Sequence, residues 1–161
     1  MKKGELELMP LSITSAIGDV ALLVHSDAIQ RGIRVALDID PQLPLVRGDK
    51  VQLQQVVLNL LLNAFGAMDA STSDRLVTVT ANREGEDKLC VSVRDEGHGV
   101  PAAFADQLFR PFCTSRCDSL GLGLSISRTI VEMHGGRIHA RNNADRDATF
   151  SFTLPTEVER A

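Results

Sequence analysis

No stretch of this 161-residue sequence approaches the roughly 18 consecutive apolar residues of a membrane-spanning helix. Met1-Lys2-Lys3 runs into Glu5 and Glu7 where a secretion signal would place an apolar core. A cytosolic chain without direct membrane contact is therefore expected. Basic charge is also scarce: 17 Lys and Arg stand against 21 Asp and Glu, a formal net charge of -4, with the two signs interspersed. The stripe of cations that neutralises a phosphate backbone is missing, which argues against nucleic acid as a partner. Cysteine is limited to Cys90, Cys113 and Cys117. An odd number cannot all pair within the chain, and a chain this long does not need disulfide staples, so reduced thiols are expected. Cys113 and Cys117 with His98 lack the second ligand pair that would complete a tetrahedral zinc shell.

What is present is enough apolar material, 43% of residues, for one domain that buries roughly two thirds of its unfolded surface. Residues 11–155 read as that domain, with 1–10 and 156–161 as linker and tail. Apolar residues at Ile13, Ile17, Val20, Ala21, Val24 and Ala28 predict one amphipathic helix closing at Gly32. "IRVALDI" alternates, so Ile33, Val35, Leu37 and Ile39 are expected to point inward from a strand. Asp49 is a plausible N-cap for a central helix whose stripe is Val51, Leu53, Val56, Val57, Leu60, Leu61 and Ala64. "LVTVTANR" and "KLCVSVRD" around "EGED", and "RIHARNN" and "ATFSFTLP" around "ADRD", read as two antiparallel hairpins. Between them "LGLSISRTIVEMHGG" reads as a helix ended by Gly-Gly. Blocks of this order predict an α/β, two-layer sandwich with a mixed, mainly antiparallel sheet.

Three features of the pattern carry chemistry. Asn59 and Asn63 stand four apart on the central helix and project from one face among apolar neighbours. They can hold a ligand or simply bond a neighbouring loop. Asp95 ends a strand expected to be buried, and Gly97 and Gly99 after it leave bare backbone against which a flat heterocycle can lie. The same carboxylate could instead satisfy its own turn. Gly121-Leu122-Gly123-Leu124 opens a helix, whose free N–H groups suit an anion such as phosphate, although a tight loop-to-helix turn would use the same glycines. Neither the dinucleotide fingerprint nor a lysine-bearing phosphate loop is present.

Four segments in order resemble the catalytic, ATP-binding domain of bacterial two-component sensor histidine kinases, in the ATPase group shared with gyrase, MutL and the large heat-shock chaperone. "DKVQLQQVVLNLLLNAFGAM" is similar to the asparagine box, "DEGHGVP" to the first glycine box, "LFRPFCTSR" to the phenylalanine box and "GLGLSISRTIVEMHGG" to the second glycine box. The likeness runs from about Leu11 to Pro155, and the short loop and "TSR" run most resemble oxygen-sensing and nitrogen-regulation kinases. It implies the Bergerat ATP-binding fold with residues 100–120 as a lid, residues 1–10 as a linker from a preceding acceptor hairpin, and ATP with Mg²⁺ as cofactors. Asn63 would hold Mg²⁺ with Asn59 in support; amide oxygens suit that hard cation. Asp95 would accept from the adenine amino group, helped by Gly97, Gly99 and Thr149. Gly121, Leu122, Gly123 and Leu124 would meet the phosphates, Phe109 and Phe112 would pack the lid, and Thr114, Ser115 and Arg116 would reach the phosphates, Arg116 as the catalytic cation.

Departures bear on the reading. Ser119 replaces a usual glycine, Thr114-Ser115-Arg116 replaces a common Thr-Thr-Lys run, and Gly66 stands where many relatives carry a lysine. Hydrolases of the group are similar in placing a glutamate where this chain has Asn59, and an amide is no general base. The resemblance therefore implies phosphotransfer to histidine, in two-component signalling with a response regulator downstream, with a binding-only module as the alternative. None of His25, His98, His134 or His139 has the helical, acid-flanked setting of a phospho-acceptor, so a separate acceptor and dimerisation domain is implied.

Overall fold

The computed structural model describes residues 8–67, 76–95, 121–142 and 148–156. In chain order these form β1 (Met9–Leu11), α1 (Ile13–Leu23), α2 (His25–Arg31), β2 (Arg34–Ile39), β3 (Val46–Gly48), α3 (Lys50–Ala67), β4 (Leu76–Glu84), β5 (Lys88–Asp95), α4 (Gly121–Met133), β6 (Arg137–Asn142) and β7 (Ala148–Pro155).

The sheet runs β2-β4-β5-β7-β6, with β2 parallel to β4 and every other pair antiparallel. Its register brings Val79, Val93 and Phe150 into one row and Ala81, Val91 and Phe152 into the next. All six are buried beneath Leu53, Val56, Val57, Leu60, Leu61 and Ala64 of α3. Each Val, Leu or Phe among them removed from water contributes about 1.5 to 3 kcal/mol, so this seam of helix and sheet is the core of the mixed α/β sandwich. Asp49 caps α3 as its position suggests, Oδ1 accepting from the Gln52 N–H at 3.2 Å.

Local departures from the sequence pattern have physical reasons. The helix expected to run unbroken to Gly32 is two, α1 and α2, separated at Val24 with φ -94 and ψ 2. Val20, Val24 and Ala28 are all buried, so the stripe continues across the break and periodicity alone does not betray it. Gly32 closes α2 in the left-handed region. Leu37 is 44% exposed, not inward, because β2 is an edge strand with one neighbour. Val51, at the first turn of α3, is 73% exposed and lies outside the core stripe.

A second, two-stranded sheet pairs β1 with β3, Met9 opposite Gly48, and Thr156 bridges to Val46. Ordered strand thus begins inside the stretch read as linker; residues 1–7 and 157–161 lie outside the described residues. Behind α4, the Gly-Gly stop has a steric cause. A Cβ on Gly136 would fall on the Thr153 carbonyl, so the chain can enter β6 this closely only as glycine.

Candidate functional site

Topology collects the candidate residues at one end of the sheet. Three residues separate α4 from β6, so the helix turns straight back along the strand, and both span about 20 Å. The start of α4 therefore lies toward Asn142, which pairs with Ala148, which in turn pairs with Asp95 at the end of β5. Two contacts set α3 antiparallel to α4: the Asp49 N–H donates to His134 Nε2 at 3.0 Å, and Asn59 Nδ2 donates to Ser127 Oγ at 3.1 Å. Continuing one turn past Asn59 brings Asn63 to the same end as Gly121 and Gly123.

The two asparagines do different things. Asn59, half-buried, is engaged at both ends of its amide, Oδ1 accepting from Gln55 Nε2 at 2.8 Å while Nδ2 reaches Ser127. Asn63 is only 5% exposed, and its side-chain amide makes no hydrogen bond among the described residues. Buried amides without a protein partner are uncommon, and an amide oxygen is the hard donor that Mg²⁺ takes, so Asn63 fits the expected group. Asp95 is 1% exposed at the very end of β5. The residue is engaged elsewhere, and its Oδ2 is buried without a hydrogen bond.

Other expectations divide. Leu124 is buried in the core, so only its backbone can face a ligand. α4 is helical from Gly121, which puts Gly121, Leu122 and Gly123 in its first turn, where N–H groups lack partners within the helix. Thr149 is not brought beside Asp95: register pairs it with Arg94, and alternation sends it to the open face while Phe150 and Asp95 face the helices. Gly97, Gly99, Phe109, Phe112, Thr114, Ser115 and Arg116 lie outside the described residues, as do His98, Cys113, Cys117 and Ser119. The residue that pattern reading missed is Ser127, a lone hydroxyl at a buried position of α4 between Leu124 and Ile130; that interruption of the apolar stripe was its signal.

An open groove of about 290 Å³ elsewhere, between α1 and α3, has Asp19 as its charged lining residue, and Asp19 is tied to Lys50 at 3.2 Å. No helix of the described residues is long and apolar enough to cross a membrane.

With this geometry in place, comparisons with known proteins are specific. Residues 48–158 match the family described as histidine kinase-, DNA gyrase B- and HSP90-like ATPase. The sensor protein FixL of Bradyrhizobium diazoefficiens is 39% identical over 157 residues, 98% of this chain and 31% of FixL. The chain spans between 15% and 34% of the length of curated relatives it matches. Among solved structures, the nucleotide-free catalytic domain of histidine kinase ThkA superposes with a TM-score of 0.81 at 28% identity, covering 93% of this chain and 96% of that one. ThkA has also been solved in complex with the response regulator protein TrrA. Full-length ShkA in complex with AMPPNP gives a TM-score of 0.84 at 29% identity, covering 98% of this chain and 33% of ShkA.

Proposed function

The chain belongs to the histidine kinase-, DNA gyrase B- and HSP90-like ATPase family, as the catalytic, ATP-binding domain of a sensor histidine kinase, and we propose that it binds Mg-ATP and donates the γ-phosphate to a histidine on a separate acceptor hairpin. The observation that carries this reading is Asn63, a buried amide with no hydrogen bond among the described residues, at the end of α3 that the start of α4 and Asp95 share. Asn63 would hold Mg²⁺, which when bound offsets the negative charge of the phosphates. The first-turn N–H groups of α4 would receive phosphate oxygens, favoured by the positive end of the helix dipole. Asp95 would accept from the adenine amino group and so orient the base.

Transfer breaks the bond between the γ-phosphorus and its bridging oxygen, which leaves with ADP and keeps the electron pair. A neutral imidazole nitrogen forms the new P–N bond with its lone pair, so no base in this chain needs to take a proton for attack. Asn59, an amide already bonded to Gln55 and Ser127, supplies none. That supports transfer to histidine over hydrolysis. The response regulator seen with ThkA supports a response regulator as the downstream partner.

Calorimetric titration with a non-hydrolysable ATP analogue, with and without Mg²⁺, tests the binding half. Saturable binding strengthened by Mg²⁺ is expected; absence of binding in both conditions overturns the reading.

A further inference from the structure

We infer that Ser127 is a positioning residue, whose hydroxyl holds the start of α4 at a fixed spacing from Asn63 and so governs the grip on the triphosphate without governing recognition of the base. The inference rests on the Mg-ATP reading above and adds to it a residue outside the segments' expected contacts.

Ser127 is 0% exposed, and a hydroxyl so buried is costly unless bonded. Its partner is Asn59 Nδ2 at 3.1 Å. Gln55 Nε2 donates to Asn59 Oδ1 at 2.8 Å, with the Nδ2 end of the Asn59 amide toward α4. The chain Gln55–Asn59–Ser127 therefore ties the two helices through a defined orientation. One turn along α3 from Asn59 is Asn63, and one turn back along α4 from Ser127 is Gly123, each about 6 Å away along its axis. A second polar tie, Asp49 to His134, lies ten residues before Asn59, at the far end of the helix pair. Asn59–Ser127 is the tie nearer the proposed phosphate end, and it bears on the width there. Asp95 stands on β5, held by the ladders to Val77 and Ala148, and is independent of it.

A ligand that bridges Asn63 and the first turn of α4 should feel a change at Ser127; one that meets Asp95 alone should not. The experiment compares wild type with Ser127→Ala and Ser127→Cys, titrating AMPPNP with Mg²⁺ and, by competition, adenosine. Ser127→Ala should weaken Mg-AMPPNP at least about five-fold while adenosine stays within about two-fold. Ser127→Cys, close in volume but a weaker acceptor, should fall between. Unchanged Mg-AMPPNP affinity, or equal losses for the two ligands, overturns the inference while leaving Mg-ATP binding intact. Failure of the wild type to bind Mg-AMPPNP overturns the underlying reading instead. If Ser127→Ala does not fold, Ser127→Cys decides by the same two ligands, a selective loss for Mg-AMPPNP supporting the role and a shared or absent loss refuting it.

Discussion

The backbone N–H of Asp49, which caps α3, donates to Nε2 of His134, the residue that follows α4, while Nδ1 of the same ring meets the Ile130 carbonyl at 2.8 Å. The ring must therefore carry its proton on Nδ1, donating to Ile130 and accepting from Asp49. Removing it strands a part-buried N–H and empties the space beside Gly48, where a Cβ would lie 3.1 Å from the ring. His134→Ala should cost about 2 to 4 kcal/mol in urea denaturation, with the midpoint lowered and the slope retained. A loss under about 0.5 kcal/mol would mean that the tie is ornamental.

Asn63 gives a sharper separation of stability from function. Asn63 is 5% exposed and its amide makes no hydrogen bond among the described residues, so Asn63→Leu gives up no protein hydrogen bond and should stay within about 1 kcal/mol of wild type. The same variant should lose the Mg²⁺-dependent part of nucleotide affinity in calorimetry. A folded Asn63→Leu with undiminished Mg²⁺ dependence removes the metal role.

Base selectivity follows from Asp95. Its carboxylate can accept from the amino group of adenine but meets the carbonyl oxygen of guanine, and two facing acceptors cost on the order of 1 to 3 kcal/mol. ATP should bind at least several-fold more tightly than GTP, and Asp95→Asn should narrow the gap. Equal affinities in the wild type contradict the assignment.

Cys90 offers a test independent of nucleotide. Burial pushes its thiol above the ordinary range, Ser92 pulls it back through a hydrogen bond, and Glu84 adds to the rise, leaving it raised. A raised folded pKa stabilises the fold below the unfolded thiol value and loses that contribution as pH climbs through the folded one. Alkylation of Cys90 in the native chain should therefore be slower than in urea at about pH 8.5, and its rate should rise toward higher pH than in the unfolded chain. A native rate equal to the denatured one at that pH contradicts a protected thiol.

The sequence carried the elements whose signals are local. The stripe from Leu53 to Ala64, the Asp49 cap, the turn at Gly85 and the Gly-Gly stop each follow from a few neighbouring residues, and each is where the pattern puts it. What it hid depends on distant partners. The break at Val24 disappears into a stripe that stays in phase, and Leu37 alternates correctly yet faces solvent because its strand is an edge. Thr149 lands beside Arg94 through sheet register, which no run of residues around it encodes. Asn59 and Asn63 look equivalent at four-residue spacing; a contact 68 residues away, to Ser127, makes the first a tie between helices and has no counterpart at Asn63 among the described residues.

Phosphotransfer to a supplied histidine tests the central claim most directly. The chain joined to the acceptor hairpin of a sensor kinase, given γ-labelled Mg-ATP, should acquire a phosphate that is acid-labile and stable in base, and the chain alone should acquire none, since His25, His98, His134 and His139 lack the acceptor setting. Placing nucleotide and histidine in one frame should also make the fusion label far faster than a mixture of the separate pieces. A fusion that binds Mg-ATP and never labels, or an isolated chain that labels stoichiometrically on one of its own four histidines, contradicts the claim.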